Sequence, residues 1–487
     1  MSAPPLGVAI IGAGFAGIAA AIRLQQQGDT DFMVFERASA LGGVWRANTY
    51  PGAACDVESH LYALAGAPPA DWTRNYAGQS EILAYLHACA QHYRLAPHIR
   101  FGHTFHNARW DAASQHWQLS TSQGEYRACV LVLATGALAE PQIPALPGIK
   151  TFSGAVWHSA SWNHTFDLKT KRVAVIGTGA SAIQFVPAIQ PTVARLQLYQ
   201  RTAPWVIARG ERQLGWAERR LLRRFGLFHR LRRASIGVRR EIEGMGFWHP
   251  ELMAQAQQAA HAHLAAAVPD PLLRAKLTPN YTIGCKRILL SDTYYPALTQ
   301  PNIEVITTAI AEIQPTGIID TTGTHRTCDA IIFGTGFHVT SFPTAALIHG
   351  RAGRTLAEIW RGAPQAHLGT TVVGFPNMFI LQGPNTGLGH TSVLLMIEAQ
   401  IAHLLGALRY MRRQQIAAIE PRAAAQAAFV AAVDSHMAGT VWATGGCRSW
   451  YQDAGGRVAA LWPGSTGAFR RRVAPFDPRE YRVAGVP

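Results

Sequence analysis

Val8-Ala9-Ile10-Ile11-Gly12-Ala13-Gly14-Phe15-Ala16-Gly17 opens the first clear pattern in the chain: four apolar residues, three glycines spaced Gly-x-Gly-x-x-Gly, and then an alanine-rich stretch to Leu24. The apolar run predicts a buried strand and the alanine-rich stretch a helix. Glycines between them allow a tight turn and let a pyrophosphate approach the backbone at the helix N-terminus. A second predicted strand, Phe32 to Phe35, ends at Glu36, 24 residues after Gly12. A carboxylate at that point accepts hydrogen bonds from ribose hydroxyls. The glycine loop alone is weak, but strand, turn, helix, strand and terminal acid together describe a dinucleotide-binding unit.

The same pattern returns downstream. Val173 to Ile176 leads into Gly177-Thr178-Gly179-Ala180-Ser181-Ala182, a helix through Ile189, and a strand from Leu196 to Tyr199 that runs into Gln200-Arg201. Arg201 lies 24 residues after Gly177, where the first unit has Glu36. A guanidinium there suits a 2′-phosphate that a carboxylate would repel. FAD at the first site and NADPH at the second is the economical assignment. The fold class is therefore α/β, with two Rossmann-like dinucleotide-binding domains and a helical insertion in the second. Two strand ends, Val130 to Leu133 before Ala134-Thr135-Gly136 and Ala330 to Phe333 before Gly334-Thr335-Gly336, read as returns between domains. The FAD domain is expected over 1–145 plus 325–487 and the NADP domain over 146–324, with a helical subdomain at about 205–280.

The 487 residues are 48% hydrophobic and only 15% charged, which excludes a disordered chain. The apolar pattern from Thr391 to Tyr410 is interrupted by Glu398 and His403, so a buried helix is expected and not a membrane span. It follows Gly383-Pro384-Asn385-Thr386-Gly387-Leu388-Gly389-His390, and such a helix either aims its positive end at a reduced flavin or simply packs. Six scattered cysteines contain no CxxC pair, so neither a metal site nor a disulfide framework is expected, and reduced thiols in a cytoplasmic protein are the default. The N-terminus carries no basic, cleavable leader pattern. Net charge is +15, and twelve arginines fall between Arg201 and Arg240 against Glu211 and Glu218. Leu221, Leu222, Phe225, Leu227, Phe228 and Leu231 are read as one buried stripe with arginines on the wet face, in preference to a nucleic-acid or membrane surface.

Between the two glycine loops stands Phe152-Ser153-Gly154-Ala155-Val156-Trp157-His158-Ser159-Ala160-Ser161-Trp162-Asn163. Its FxGxxxHxxxW spacing resembles the fingerprint of Baeyer-Villiger monooxygenases, the ketone-oxidising branch of class B flavoprotein monooxygenases. Asn163 stands where that fingerprint usually closes with Pro or Asp. A second family pattern, GGxWxxxxYPGxxxD, matches Gly42-Gly43-Val44-Trp45 through Tyr50-Pro51-Gly52 to Asp56, and the resemblance runs from about Val8 to about Trp462.

The resemblance implies an NADPH- and FAD-dependent monooxygenase acting on a ketone and O2 through a flavin C4a-peroxide, giving an ester or lactone. Sulfur or nitrogen oxidation, or a non-catalytic nucleotide-sensing or membrane-surface role, are the alternatives. Peroxide addition to a carbonyl leaves an oxyanion, which calls for a permanent cation. By resemblance that cation is Arg287, in Gly284-Cys285-Lys286-Arg287, with Asp56 as its orienting partner. The expected cofactor contacts are Gly12, Gly14, Phe15, Gly17, Glu36, Gly43, Val44, Trp45, Asp56, Tyr62 and Thr135 around the first loop. Around the second they are Gly177, Thr178, Gly179, Ser181, Gln184, Arg201, Thr202, Lys286 and Thr335. Trp450 is read as a pocket-lining or NADP-covering aromatic, with core packing as the other reading. Phe152, Gly154, His158 and Trp162 form the fingerprint, in which His158 is expected to affect NADPH docking and not to act as a base. Ordinary packing would also account for Trp45 and Tyr62.

Overall fold

The computed structural model describes residues 4–483; the outermost ends of the sequence-assigned first domain, 1–3 and 484–487, lie outside the described residues. Strand β1 (Leu6–Ile11) enters helix α1 (Phe15–Gln26) and then β2 (Phe32–Glu36). The sheet is extended beyond β2 by β3 (Ile99–Phe101) and, on the far side of β1, by β4 (Phe105–Asp111), β5 (His116–Thr121) and β6 (Gly124–Leu133). The chain then builds a second sheet from β7 (Ala155–His158), β8 (Arg172–Ile176), β9 (Arg195–Tyr199), β10 (Ile303–Ile306) and β11 (Ala330–Phe333). Helix α2 (Ala182–Ile189) follows β8. Short strands β12 (Ile348–His349) and β13 (Met378–Ile380) return to the first sheet.

The first sheet has eight strands in the order β12-β4-β5-β6-β1-β2-β3, with β13 also pairing β6. Its nucleotide half is parallel, while β4, β5 and the start of β6 form an antiparallel meander. The second sheet runs β10-β9-β8-β11-β7 and is parallel throughout. Central strands buried on both faces account for the unbroken Val/Ile/Ala runs that marked β1, β8 and β11.

One boundary differs from the sequence reading. Strand β11 pairs with β7 and β8, so Ala330–Phe333 belongs to the second sheet, and the return to the first begins after it and not at 325. The two strand-end turns do equivalent work in their own sheets. Gly12 (φ +107°) abuts the Ala134 carbonyl and Gly177 (φ +108°) abuts that of Gly334, where an added Cβ would lie 2.6 and 2.4 Å from the oxygens. Thr335 accordingly sits beside the second loop.

Helices α3 (Trp216–Arg224), α4 (Gly226–Glu243), α5 (Met253–Ala267) and α6 (Pro271–Leu277) lie in the expected helical insertion. The stripe expected to be buried is not. Of the six apolar residues from Leu221 to Leu231 only Leu222 is buried, and several of the arginines, Arg233 and Arg240 above all, turn inward instead. Arg219 pairs with Asp71, Arg233 with Glu398, and Arg239 and Arg240 with Glu58, each on the first domain. Ion pairing and hydrogen bonding to that neighbour outcompeted the apolar stripe for the inner face. Helix α7 (Val393–Gln414) is apolar and long enough to cross a membrane, but its central residues, Gln400 and His403 among them, are buried within the first domain.

Candidate active site

The site is assembled at the junction of the two sheets. Both nucleotide-loop helices begin without a capping side chain: Gly14 precedes α1, Ser181 precedes α2 without capping it, and neither first turn holds an acid. Their first amides are free of side-chain competitors for an anion. Gly43 meets Gly14 so closely that a Cβ on it would lie 2.9 Å from the Gly14 Cα, which keeps the first loop open at the backbone. Glu36, nearly buried, accepts from the amides of Ala13 at 2.8 Å and Ala38 at 2.9 Å, so its carboxylate faces the loop it was expected to serve.

Phe15, Trp45 and Tyr62 form one aromatic group beside that loop. Trp45 Nε1 donates to the Tyr62 hydroxyl at 3.0 Å, and the Phe15 and Tyr62 rings meet edge to face at 5.2 Å. Burial pushes the Tyr62 hydroxyl well above its ordinary range, so it remains a neutral acceptor. Val44 is exposed at the start of the same turn, and Thr135 lies half-buried at the end of β6.

Asp56 and Arg287 meet across 231 positions. Arg287 Nε and Nη2 both reach Asp56 Oδ2 at 2.7 Å. The Asp56 charge drives the Arg287 pKa above even its usual value, so the guanidinium is a fixed cation. Its side chain remains 26% exposed. Tyr451 is buried beside it; burial raises its hydroxyl to about 12 while Arg287 pulls the other way.

Lys286 and Arg201 form the cationic end. Burial lowers the Lys286 pKa first and the Arg201 charge lowers it further. Neither has a carboxylate partner within ion-pair distance among the described residues. Lys286 Nζ lies 4.9 Å from the centre of the Tyr281 ring. Thr178 donates Oγ1 to the Thr202 carbonyl at 3.3 Å, tying the second loop, which Gly179 continues, to the Arg201 turn.

Gln184, Trp450 and two of the cysteines have roles that the sequence left open or assigned otherwise. Gln184 donates to the Ala54 carbonyl at 3.0 Å and accepts from Tyr50 at 3.0 Å and from the Ala54 amide at 3.3 Å. Its amide joins α2 to the Tyr50-Pro51-Gly52 turn. Trp450 is 44% exposed and leans on Tyr451, the rings tilted with centroids 4.2 Å apart, which removes the core-packing reading. Cys285 and Cys447 form a disulfide, against the expectation of reduced thiols, because the fold brings together segments 162 residues apart that no spacing rule relates. The bond tethers the Lys286-Arg287 segment to the one carrying Trp450 and Tyr451.

The fingerprint is a bracket. A Cβ on Gly154 would lie 2.4 Å from the Asp329 carbonyl and 2.6 Å from the Phe152 ring, so this crossing requires glycine. Trp162 packs among Trp157, Phe185 and Tyr50, joining the second core to the first domain's turn. His158 Nδ1 accepts from the Ala160 amide at 3.1 Å, Nε2 is buried, and burial lowers its pKa, so it is a neutral packing residue at the end of β7. Sequence reasoning missed Tyr451 and the Gln184 staple. Adjacency to Trp450 was the only available signal for Tyr451, and nothing in the sequence marked the staple.

Residues 6–236 match the family model described as flavin-binding monooxygenase-like. Over 481 residues the chain is 48% identical to a Baeyer-Villiger monooxygenase of Streptomyces coelicolor, covering 98% of this chain and 92% of that one. Another from Pseudomonas aeruginosa is 46% identical over 483 residues, covering 99% and 92%. Among solved structures, an oxidized steroid monooxygenase bound to NADP superposes with TM-score 0.88 at 30% identity, covering 99% of this chain and 100% of that one. Cyclohexanone monooxygenase from Rhodococcus sp. Phi1 bound to NADP+ gives TM-score 0.88 at 27% identity, with 100% of both chains covered. Two open nucleotide loops, a fixed cation at their junction and relatedness along the full length agree: this chain belongs to the Baeyer-Villiger monooxygenase family.

Proposed function

We propose that the chain is an NADPH- and FAD-dependent monooxygenase that inserts one oxygen atom beside a ketone carbonyl. The observation that carries this reading is the Arg287–Asp56 pair, a permanent cation held at the junction of two nucleotide-binding sheets. In the reaction a ketone, O2 and NADPH with a proton become an ester or lactone, water and NADP+. FAD, when bound, takes hydride from NADPH and activates O2; the protein's part is binding, orientation and electrostatics.

The residues fit both groups. The Gly12–Gly17 loop, kept open by the Gly14–Gly43 contact, would take the FAD pyrophosphate, with Glu36 on the ribose and Trp45 and Tyr62 as packing surface. The Gly177–Ala182 loop would take the NADPH pyrophosphate. Arg201 and Lys286, two cations without a carboxylate in ion-pair distance among the described residues, would be relieved of mutual repulsion by a 2′-phosphate. Trp450, exposed beside the disulfide, is available to cover the nicotinamide end.

Arg287 then serves the carbonyl. As the substrate oxygen gains negative charge on attack, the guanidinium stabilises it without giving up a proton, and Asp56 holds it in place. Lysine would be a poorer choice, since its charge falls with burial. Because NADPH is made and maintained there, the cytoplasm is the compartment we assign. The decisive experiment measures NADPH consumption with a panel of cyclic and linear ketones and identifies the products. Ester or lactone formed in proportion to NADPH supports the proposal; NADPH oxidation yielding only hydrogen peroxide with every ketone, or sulfoxides from sulfides alone, overturns it.

A further inference from the structure

We propose that the outer face of helices α3 and α4 docks the enzyme on an anionic lipid surface. On α4, Leu227, Leu231, Val238 and Ile242 fall at helical positions i, i+4, i+11 and i+15, which lie within one narrow face. All four are between 57% and 65% exposed. Trp216 and Leu221 on α3, Phe225 between the helices and Phe228 on α4 are exposed as well. The opposite face of α4 carries His229, Arg233, Ile236 and Arg240 and is held to the first domain through Glu398, Glu58 and the Tyr76 hydroxyl. This orientation inverts that of an ordinary surface helix, which turns its apolar stripe to the core. The arginines hold the helix down, so the apolar stripe is free to meet something else.

Charge identifies what it meets. Arg220, Arg224 and Arg230 are exposed along the same two helices, and none has a carboxylate within ion-pair distance among the described residues. Arg220 lies over the Trp216 ring and Arg224 over the Phe225 ring, each at 5.6 Å, so cations and aromatic groups are interleaved. An apolar stripe rimmed by guanidiniums and tryptophan is the composition that settles into the headgroup layer of anionic membranes. A second copy of the chain fits less well. The acids of these helices are already engaged, Glu218 by Arg212, Glu241 by His390 and Glu243 by Arg240, so a symmetric contact would set arginine against arginine with no acid to answer it. The inner leaflet, being anionic, offers such a surface to a cytoplasmic protein.

The test is co-sedimentation of the FAD-loaded enzyme with phosphatidylglycerol–phosphatidylcholine vesicles, against phosphatidylcholine alone. We expect binding to the anionic vesicles only, weakened by salt. Each basic residue near such a surface is worth about fivefold in affinity, so Arg220→Gln/Arg224→Gln/Arg230→Gln loses about a hundredfold. Leu227→Ser/Leu231→Ser loses binding as well, and both variants keep wild-type turnover of a water-soluble ketone. Equal sedimentation of wild type and the arginine variant, or no sedimentation with either lipid, overturns the proposal. So does a wild-type dimer in sedimentation velocity that the leucine variant dissolves, because the stripe would then be a contact between copies.

Discussion

Arg287 and Asp56 meet at one carboxylate oxygen: Nε and Nη2 both reach Oδ2 at 2.7 Å, which fixes the guanidinium plane. One residue comes from the second family pattern near the start of the chain and the other from the strap that follows the helical insertion. In the function proposed above, their meeting supplies the fixed cation for the oxygenating step.

Removing that cation should separate reduction from oxygenation. Flavin reduction by NADPH needs only the bound nucleotide, whereas ester formation needs the charge on the carbonyl oxygen to be met. Arg287→Ala is expected to bleach the flavin with NADPH yet form ester at a rate lower by ~10² to 10³, with hydrogen peroxide as the oxygen product. Asp56→Ala should show a milder defect of the same kind. Stopped-flow absorbance together with product analysis distinguishes the steps, and near wild-type ester formation by Arg287→Ala would remove the residue from the mechanism.

The Arg201–Lys286 pair sets a coenzyme preference with a pH dependence. Burial and Arg201 both lower the Lys286 pKa, so this lysine loses its proton at a lower pH than an ordinary one. The KM for NADPH should rise on the alkaline side as that proton leaves, while the KM for NADH stays flatter. Arg201→Ala should raise the KM for NADPH much more than that for NADH and move the alkaline rise to higher pH. Identical profiles for the two coenzymes would count against a 2′-phosphate clamp.

The Cys285–Cys447 bond closes a long loop around the site. Loss of such a crosslink typically costs about 2 to 5 kcal/mol. Cys447→Ser, or wild type in strong reductant, should melt several degrees lower and bind NADPH less tightly, because Trp450 and Tyr451 lose their tether. Thermal unfolding with and without reductant checks this; an unchanged Tm in both would mean the bond contributes nothing.

Acid should loosen the helical insertion. His60 and His229 pack edge to face at 5.6 Å between α4 and the first domain, and burial lowers both pKa values, that of His60 to about 4. The unfolded chain binds these protons more readily, so their contribution is fully present above about pH 6.5 and is lost as pH falls toward 4. For His60 this amounts to roughly 2 to 4 kcal/mol. Urea midpoints at several pH values should fall across that window, and His60→Phe should flatten the slope.

Much of this protein is legible in its sequence because the physics involved is local. A glycine that abuts a neighbouring strand, as Gly12 and Gly177 do, needs no distant information to be recognised, and the exchange of Glu36 for Arg201 at equal offsets distinguishes the two sites by charge alone. The family patterns extended that reading to Asp56 and Arg287. Tertiary structure decided the features that depend on which surfaces compete for contact. The sheet to which Ala330–Phe333 belongs follows from register against β7 and β8. The Cys285–Cys447 bond joins residues 162 apart, and Gln184 staples α2 to the Ala54 backbone. The clearest case is α4: periodicity defines an apolar face, but which face turns inward depended on Glu58 and Glu398 waiting on another domain for its arginines.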